Sequence, residues 1–245
     1  MENWFTHFGT ELLGTCFLIL LGNGVVANVI LRDTKGNKGG FIAIATGWAL
    51  AVALAATISS ALGGAAHLNP AVTIAVLTNG WKENVGDFCL LPIFIIGQLI
   101  GAILGQVIID IFYIKHILHT AASGEGDNVL GMHCTAPTYR NAALNFFAEF
   151  VGTVVLIVAI LSIKKFYSNA GWMGPLFVGL TVFGIGLSLG GTTGYAINPV
   201  RDIVPRIVHQ ILPIKNKASS DWSYSWIPVI APLASGLVVG TVFLI

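Results

Sequence analysis

Six stretches of about 20 mostly apolar residues constrain this chain more than anything else in it: Leu12–Leu31, Phe41–Leu62, Leu90–Ile109, Ala142–Ile163, Met173–Leu189 and Trp226–Ile245. A helix rising 1.5 Å per residue needs about 20 of them to cross a hydrocarbon core of roughly 30 Å. Together the six occupy about half of the 245 residues. Barrel strands would alternate apolar and polar residues over about ten positions; these runs are apolar on every side, so the predicted class is all-α and the chain a multi-pass protein of the lipid bilayer. Charged residues make up only 9% of the sequence, against about 25% in soluble proteins. Twelve basic residues offset 11 acidic ones, for a net charge of +1, which leaves no basic patch for nucleic acid. Three cysteines, Cys16, Cys89 and Cys134, imply no disulfide framework. The stretch before the first run lacks the basic start of a secretory signal, so that run reads as a permanent span.

Two further apolar segments are too short to cross, and both open with Asn-Pro, at Asn69-Pro70 and Asn198-Pro199. The sequence repeats itself around them. Glu11-Leu-Leu-Gly14-Thr15 in the first span returns as Glu149-Phe-Val-Gly152-Thr153 in the fourth. Each half then has three spans and one short segment, and three is odd, so the second half enters the membrane from the opposite side, as in transporters with inverted repeats. The expected repeats are about 1–113 and 142–245, joined by a polar loop over 114–141. Glycines spaced by four, at Gly97, Gly101 and Gly105, at Gly186, Gly190 and Gly194, and at Gly236 and Gly240, suggest close helix contacts.

Pro at the first helical position and Asn at the cap together start a helix, because Pro has no N–H to orphan and Asn can bond a free one. Both short segments should therefore begin as half-helices at mid-membrane. Non-helical backbone is tolerated at that depth where it lines a cavity, so residues 63–68 and 191–197 should line one and offer carbonyl acceptors. Inversion brings the two N-termini together, each carrying about half a positive charge. The Asn69 and Asn198 amides would be donors there, and cations would meet a barrier.

His67-Leu-Asn69-Pro70-Ala71-Val72-Thr73 and Asn198-Pro199-Val200-Arg201-Asp202 resemble the paired signature of the major intrinsic protein family, which comprises aquaporins and glycerol facilitators. The resemblance covers nearly the whole chain. It implies six spans with two re-entrant half-helices in an inverted repeat, a pore in each protomer, a homotetramer, and a plasma-membrane location with both termini in the cytoplasm. The pore midplane would hold Asn69, Pro70, Ala71, Asn198, Pro199 and Val200, and the selectivity filter Trp48, Gly186, Tyr195 and Arg201. Trp48 resembles the large aromatic of the glycerol branch, and Gly186 takes the place of the histidine that narrows water channels. Asp202, with Arg206 and the Pro228-Val229 pair, also resembles that branch. A wide ring with one apolar and one polar wall would suit a polyol. Val200 stands where the family usually has Ala and brings a β-branched side chain to the midplane, while Tyr195 adds a hydroxyl where Phe is usual.

The function implied is a passive channel for glycerol and similar small uncharged solutes, with some water permeation and no passage of ions or protons. It needs no cofactor, and nucleophile, base and orienting group nowhere occur together as an enzyme would require. Glu11 and Glu149 admit two roles, acceptors for the N–H groups of the re-entrant loops or proton carriers of a coupled secondary transporter. Gln98 would support the loops. His67 could titrate near neutrality or simply pack. His116, His119, His133 and Cys134 lack the tight spacing of a metal site. The family orientation leaves Lys82, Lys164 and Lys165 inside, and Arg32, Lys35, Lys38, Lys115, Arg140, Lys215 and Lys217 outside, which runs against the positive-inside rule.

Overall fold

The structure, a computed structural model, describes residues 4–166 and 171–243. Its elements are α1 (Trp4–Ile30), α2 (Gly40–Ala61), α3 (Pro70–Thr78), α4 (Trp81–Asn84), α5 (Leu90–Ala122), α6 (Gly126–Gly131), α7 (Ala142–Phe166), a short 3-10 turn at Gly171–Met173, α8 (Gly174–Leu189), α9 (Pro199–Ile211), α10 (Trp222–Ser225) and α11 (Ile227–Val242). Six helical stretches are long and apolar enough to cross a bilayer. Among the described residues there is no strand. The two Asn-Pro segments, α3 and α9, are short helices of 9 and 13 residues.

Helix ends differ from the apolar runs where polar residues interrupt the pattern. α1 begins at Trp4, eight residues before Leu12, because Thr10 and Glu11 are buried inside the bundle. Residues 114–122, expected in the joining loop, are instead the last turns of α5. There Ile117, Thr120 and Ala121 are buried at helical spacing while Lys115 and His119 point outward, and Thr120 Oγ1 accepts a bond from the Arg32 N–H at 3.0 Å. The loop also holds a helix of its own, α6. The last span splits at Trp226 into α10 and α11; Leu244 and Ile245 lie outside the described residues.

Two of the three glycine series are helix contacts. A Cβ on Gly97 or Gly105 would lie 2.9 Å from the Phe8 carbonyl or 2.5 Å from that of Cys16, and one on Gly101 would strike the Leu12 carbonyl, so α5 lies directly on the α1 backbone. Gly236 and Gly240 let α11 approach the Ala71 and Ala75 carbonyls of α3 in the same way. The third series is mixed: a Cβ on Gly186 would lie 3.2 Å from Ala45 Cβ and one on Gly190 3.0 Å from Phe41 Cζ, both on α2, so these two also sit at a helix contact. Gly186 and Gly190 receive the Tyr195 ring, and Gly194 is a loop residue with φ +84° facing Thr135.

Candidate functional site

Each half-helix starts as its sequence requires. Asn69 Oδ1 accepts from the Ala71 N–H at 2.9 Å, and Asn198 Oδ1 from those of Val200 and Arg201 at 3.1 and 3.3 Å. The amide nitrogens cross over: Asn69 Nδ2 donates to the Ile197 carbonyl at 2.9 Å and Asn198 Nδ2 to that of Leu68 at 2.8 Å. Each half therefore clamps the other, and each amide keeps a second N–H. Both asparagines line a cavity of about 590 Å³.

The segments leading into α3 and α9 are held open by the paired glutamates. Glu11 accepts from the His67 and Leu68 N–H groups, both at 2.8 Å, and Glu149 from those of Ala196 and Ile197 at 3.0 and 2.9 Å. Such bonds require unusual backbone: Ala66 and Leu68 have φ of 54° and 51°, Tyr195 and Ile197 of 41° and 43°. Only sites fixed by their surroundings keep side-chain-bearing residues in that region. Gln98 Nε2 adds bonds to Glu11 at 2.7 Å and to Thr73 Oγ1 at 3.1 Å, and Thr73 Oγ1 donates to the Asn69 carbonyl at 3.1 Å. His67 lies against the Phe94 ring, 4.7 Å between centroids, with Nδ1 3.3 Å from Thr73 Oγ1, and it also lines the cavity.

The cavity runs from Asn84, Lys164 and Gly174 at one mouth, past the two asparagines, to Trp48, Tyr195 and Arg201. One wall is apolar, with Leu18, Val52, Val72, Leu156, Ile160 and Val182; the re-entrant segments Ala65–Leu68 and Tyr195–Ile197 supply the other. Pro70, Ala71, Pro199 and Val200 do not line it. All four are buried behind the asparagines, and Val200 packs in the core, so its extra bulk is taken up away from the conduit.

At the far end the Arg201 guanidinium lies 4.5 Å from the centroid of the Trp48 ring. Trp48 in turn lies flat on Gly22 of α1, where any side chain would collide with it. Arg201 Nη1 and Tyr195 Oη are buried without a hydrogen-bond partner among the described residues. Gly186 was expected to leave the ring wide, but Tyr195 fills that space: a Cβ there would be 3.0 Å from Tyr195 Cζ and 3.1 Å from its Oη. Phe41 meets the same ring edge-on at 6.0 Å.

Asp202, next to Arg201 in the chain, is held on both oxygens. Asp202 Oδ2 accepts from the Thr135 N–H at 2.8 Å and Oγ1 at 2.6 Å, while Oδ1 pairs with Arg206 Nη2 at 2.7 Å. Arg206 also donates to the Ser220, Asp221 and Thr135 carbonyls. Arg140 closes the collar on Asp221 at 2.6 Å. Burial would raise the Asp221 carboxyl, but bonds from Arg140 and Ser223 outweigh it and hold the group below the usual carboxylate range.

A family profile described as Major intrinsic protein matches residues 2–243. The chain belongs to that family. It is 45% identical over 236 residues to a protein of Streptococcus pneumoniae strain R6 named glycerol uptake facilitator protein, covering 95% of this chain and 96% of the relative. A Bacillus subtilis protein of the same name is 43% identical over 234 residues, 94% of this chain and 81% of its own. An aquaglyceroporin from Plasmodium falciparum has a solved structure that superposes with a TM-score of 0.81 at 28% identity, covering 98% of this chain and 97% of that one. The fold is thus aquaporin-like and the chain a multi-pass membrane protein of the major intrinsic protein family.

Sequence reasoning missed the supports of this site. Gly22 and Phe41, which bed Trp48 and Tyr195, and Thr135, which holds Asp202, carry no local motif; their roles come from contacts made across the fold.

Proposed function

We propose that this chain is a passive channel for glycerol and similar small uncharged solutes, with some water alongside and with ions and protons excluded. The observation that carries the reading is the pair of unpartnered polar groups at residues lining the conduit, Arg201 Nη1, whose guanidinium lies over the face of Trp48, and Tyr195 Oη. A buried donor without a partner costs about 1–3 kcal/mol, and a charged one more, so a passing hydroxyl that completes the bond is favoured there. The carbon edge of a polyol would ride on Trp48 while Arg201 and Tyr195 meet its oxygens. Trp48, Gly186, Tyr195 and Arg201 then form the selectivity filter, with Gly186 acting as the bed of the Tyr195 ring. Asp202, Glu11, Glu149, His67 and Gln98 support it.

Beyond the ring, the solute passes the two asparagine amides, where each half-helix N-terminus presents about half a positive charge. A cation meets this field and the Arg201 charge without compensating ligands. Glu11 and Glu149 are both engaged with backbone N–H groups, which supports a structural role over proton carriage. The names of the relatives and of the solved neighbour agree with a glycerol channel.

We further infer a homotetramer in the plasma membrane with both termini cytoplasmic and two repeats, the first carried to Ala122 by the full length of α5 and the second over about 142–245. Three of the basic residues that this orientation puts outside are already engaged: Arg32 with Glu125 at 3.2 Å, Arg140 with Asp221, and Lys217 with the last carbonyls of α9.

The test is stopped-flow light scattering on proteoliposomes challenged with glycerol, dihydroxyacetone, urea, lactic acid and hydrogen peroxide. Glycerol flux linear in concentration is expected; saturation at low concentration with no sustained flux would refute a channel. Tyr195→Phe removes one unpaired hydroxyl and should keep glycerol flux while shifting preference from glycerol toward propanediol. An unchanged ratio of the two permeabilities would show that Tyr195 Oη does not meet the solute.

A further inference from the structure

A second buried polar cluster lies where α1, α5, α6 and α9 come together, and the conduction scheme above leaves it unused. Asp110 Oδ1 on α5 accepts from Gln106 Nε2 at 2.9 Å and lies 3.0 Å from His133 Nε2. Asn23 on α1 completes the group, donating to Gln106 Oε1 at 2.6 Å and to the His133 carbonyl at 3.0 Å. All four side chains are buried.

Hydrogen bookkeeping fixes what this cluster must hold. His133 Nδ1 is 2.7 Å from the Val129 carbonyl, and a carbonyl only accepts, so Nδ1 carries a hydrogen. In a neutral ring Nε2 is then a bare lone pair, facing a carboxylate oxygen at 3.0 Å. That contact is attractive only with one more proton, on Nε2 or on the carboxyl. Among the described residues no other cation lies against Asp110, and Asp110 Oδ2 and His133 Nε2 both lack a hydrogen-bond partner, so the pair is joined by the 3.0 Å contact alone. On α9, Arg206 is committed to Asp202 and to three carbonyls. His209 faces His133 at 5.1 Å between ring centroids, with its Nδ1 2.8 Å from Ser220 Oγ. Lys217, from the segment after α9, donates to the carbonyls of His209, Gln210 and Leu212. Cys134 adjoins the pair and lies 3.8 Å from the Leu130 carbonyl.

We propose that Asp110 and His133 are positioning residues for Arg201, sharing one proton that locks residues 129–135 against α5. Two residues beyond His133, the Thr135 N–H and hydroxyl both hold Asp202 Oδ2, and Asp202 adjoins Arg201 in the first turn of α9. With the proton in place, Thr135 fixes Asp202 and the guanidinium stays over Trp48. Without it, lone pair faces carboxylate, the pair separates, and the filter loses its rear support. The proposal rests on reading Arg201 as the cation of the narrow ring.

The experiment is glycerol and water permeability of proteoliposomes from about pH 5 to about pH 9. Wild-type glycerol permeability should fall several-fold as pH rises, with a smaller change for water. Asp110→Asn should be flat across the range, because its amide can donate to a neutral Nε2 with no titrating proton, giving up the bond from Gln106 that the same carboxylate oxygen accepts. Asp110→Leu, which offers no bond, should be low at every pH. A flat wild-type profile, or an Asp110→Asn curve that follows the wild type, would overturn the proposal while leaving the channel reading intact. Absence of glycerol flux at every pH would overturn both.

Discussion

Glu11→Gln is expected to reduce glycerol permeability by about tenfold or more, the size of effect that about 1.4 kcal/mol at the conduit would produce. The carboxylate accepts three bonds, from the His67 and Leu68 N–H groups and from Gln98 Nε2. An amide of the same shape keeps one acceptor oxygen and turns an NH2 group toward donors, so at least one backbone N–H at membrane depth loses its partner. The segment it leaves has two residues in the left-handed region, Ala66 and Leu68, which relax once the clamp is gone. The carbonyl that receives Asn198 Nδ2 belongs to Leu68, so the disturbance reaches the midplane directly. A proton carrier would behave differently: the same substitution would remove gradient-driven uptake and spare downhill flux. Loss of downhill flux in stopped-flow traces, at equal protein incorporation, is the expected result. Unchanged downhill flux would contradict the structural role of Glu11.

Arg206→Met should be the most damaging single change to stability. Arg206 and Asp202 are both fully buried and paired at 2.7 Å, and removing one member of such a pair costs about 3–5 kcal/mol because the other charge is stranded. The three carbonyls that Arg206 bonds lose their donor as well. In detergent, thermal unfolding should come down by roughly 10 °C, by analogy with soluble proteins of this size. Adding Asp202→Asn to Arg206→Met should recover part of the loss, since no buried charge is then left unpaired. If the two losses simply add, the pair is not an energetic unit.

Much of the cavity's lining was legible in the sequence because its chemistry is local. An Asn followed by Pro specifies a helix start in four residues, and the matching positions of Glu11 and Glu149 mark the segments that need holding. Trp48 and Arg201, which the resemblance puts in one ring, lie side by side, with the guanidinium 4.5 Å from the indole centroid. What lay beyond reach are pairings between distant residues. Nothing near Gly22 indicates that it lies under an indole 26 positions away, and Thr135 and Asp202 are 67 residues apart. Gly186 shows the same limit: its spacing with Gly190 and Gly194 matches a helix-contact series, yet its missing side chain makes room for Tyr195. Trp48→Phe with Gly186→His, the swap that should favour water, therefore requires Tyr195 to move. The end of α5 was obscured for another reason, since Lys115, His116 and His119 interrupt the apolar run while the helix continues on its buried face.

Neutral solutes are expected to pass the two opposed helix tips and protons are not. Proteoliposomes holding a pH-sensitive dye, given labelled glycerol and an imposed proton gradient, read both quantities at once. Glycerol should reach equal concentrations on the two sides whatever the gradient, and the gradient should decay no faster than in empty liposomes. Glycerol accumulating against its own gradient, or protons leaking in step with it, would contradict a passive, proton-tight channel.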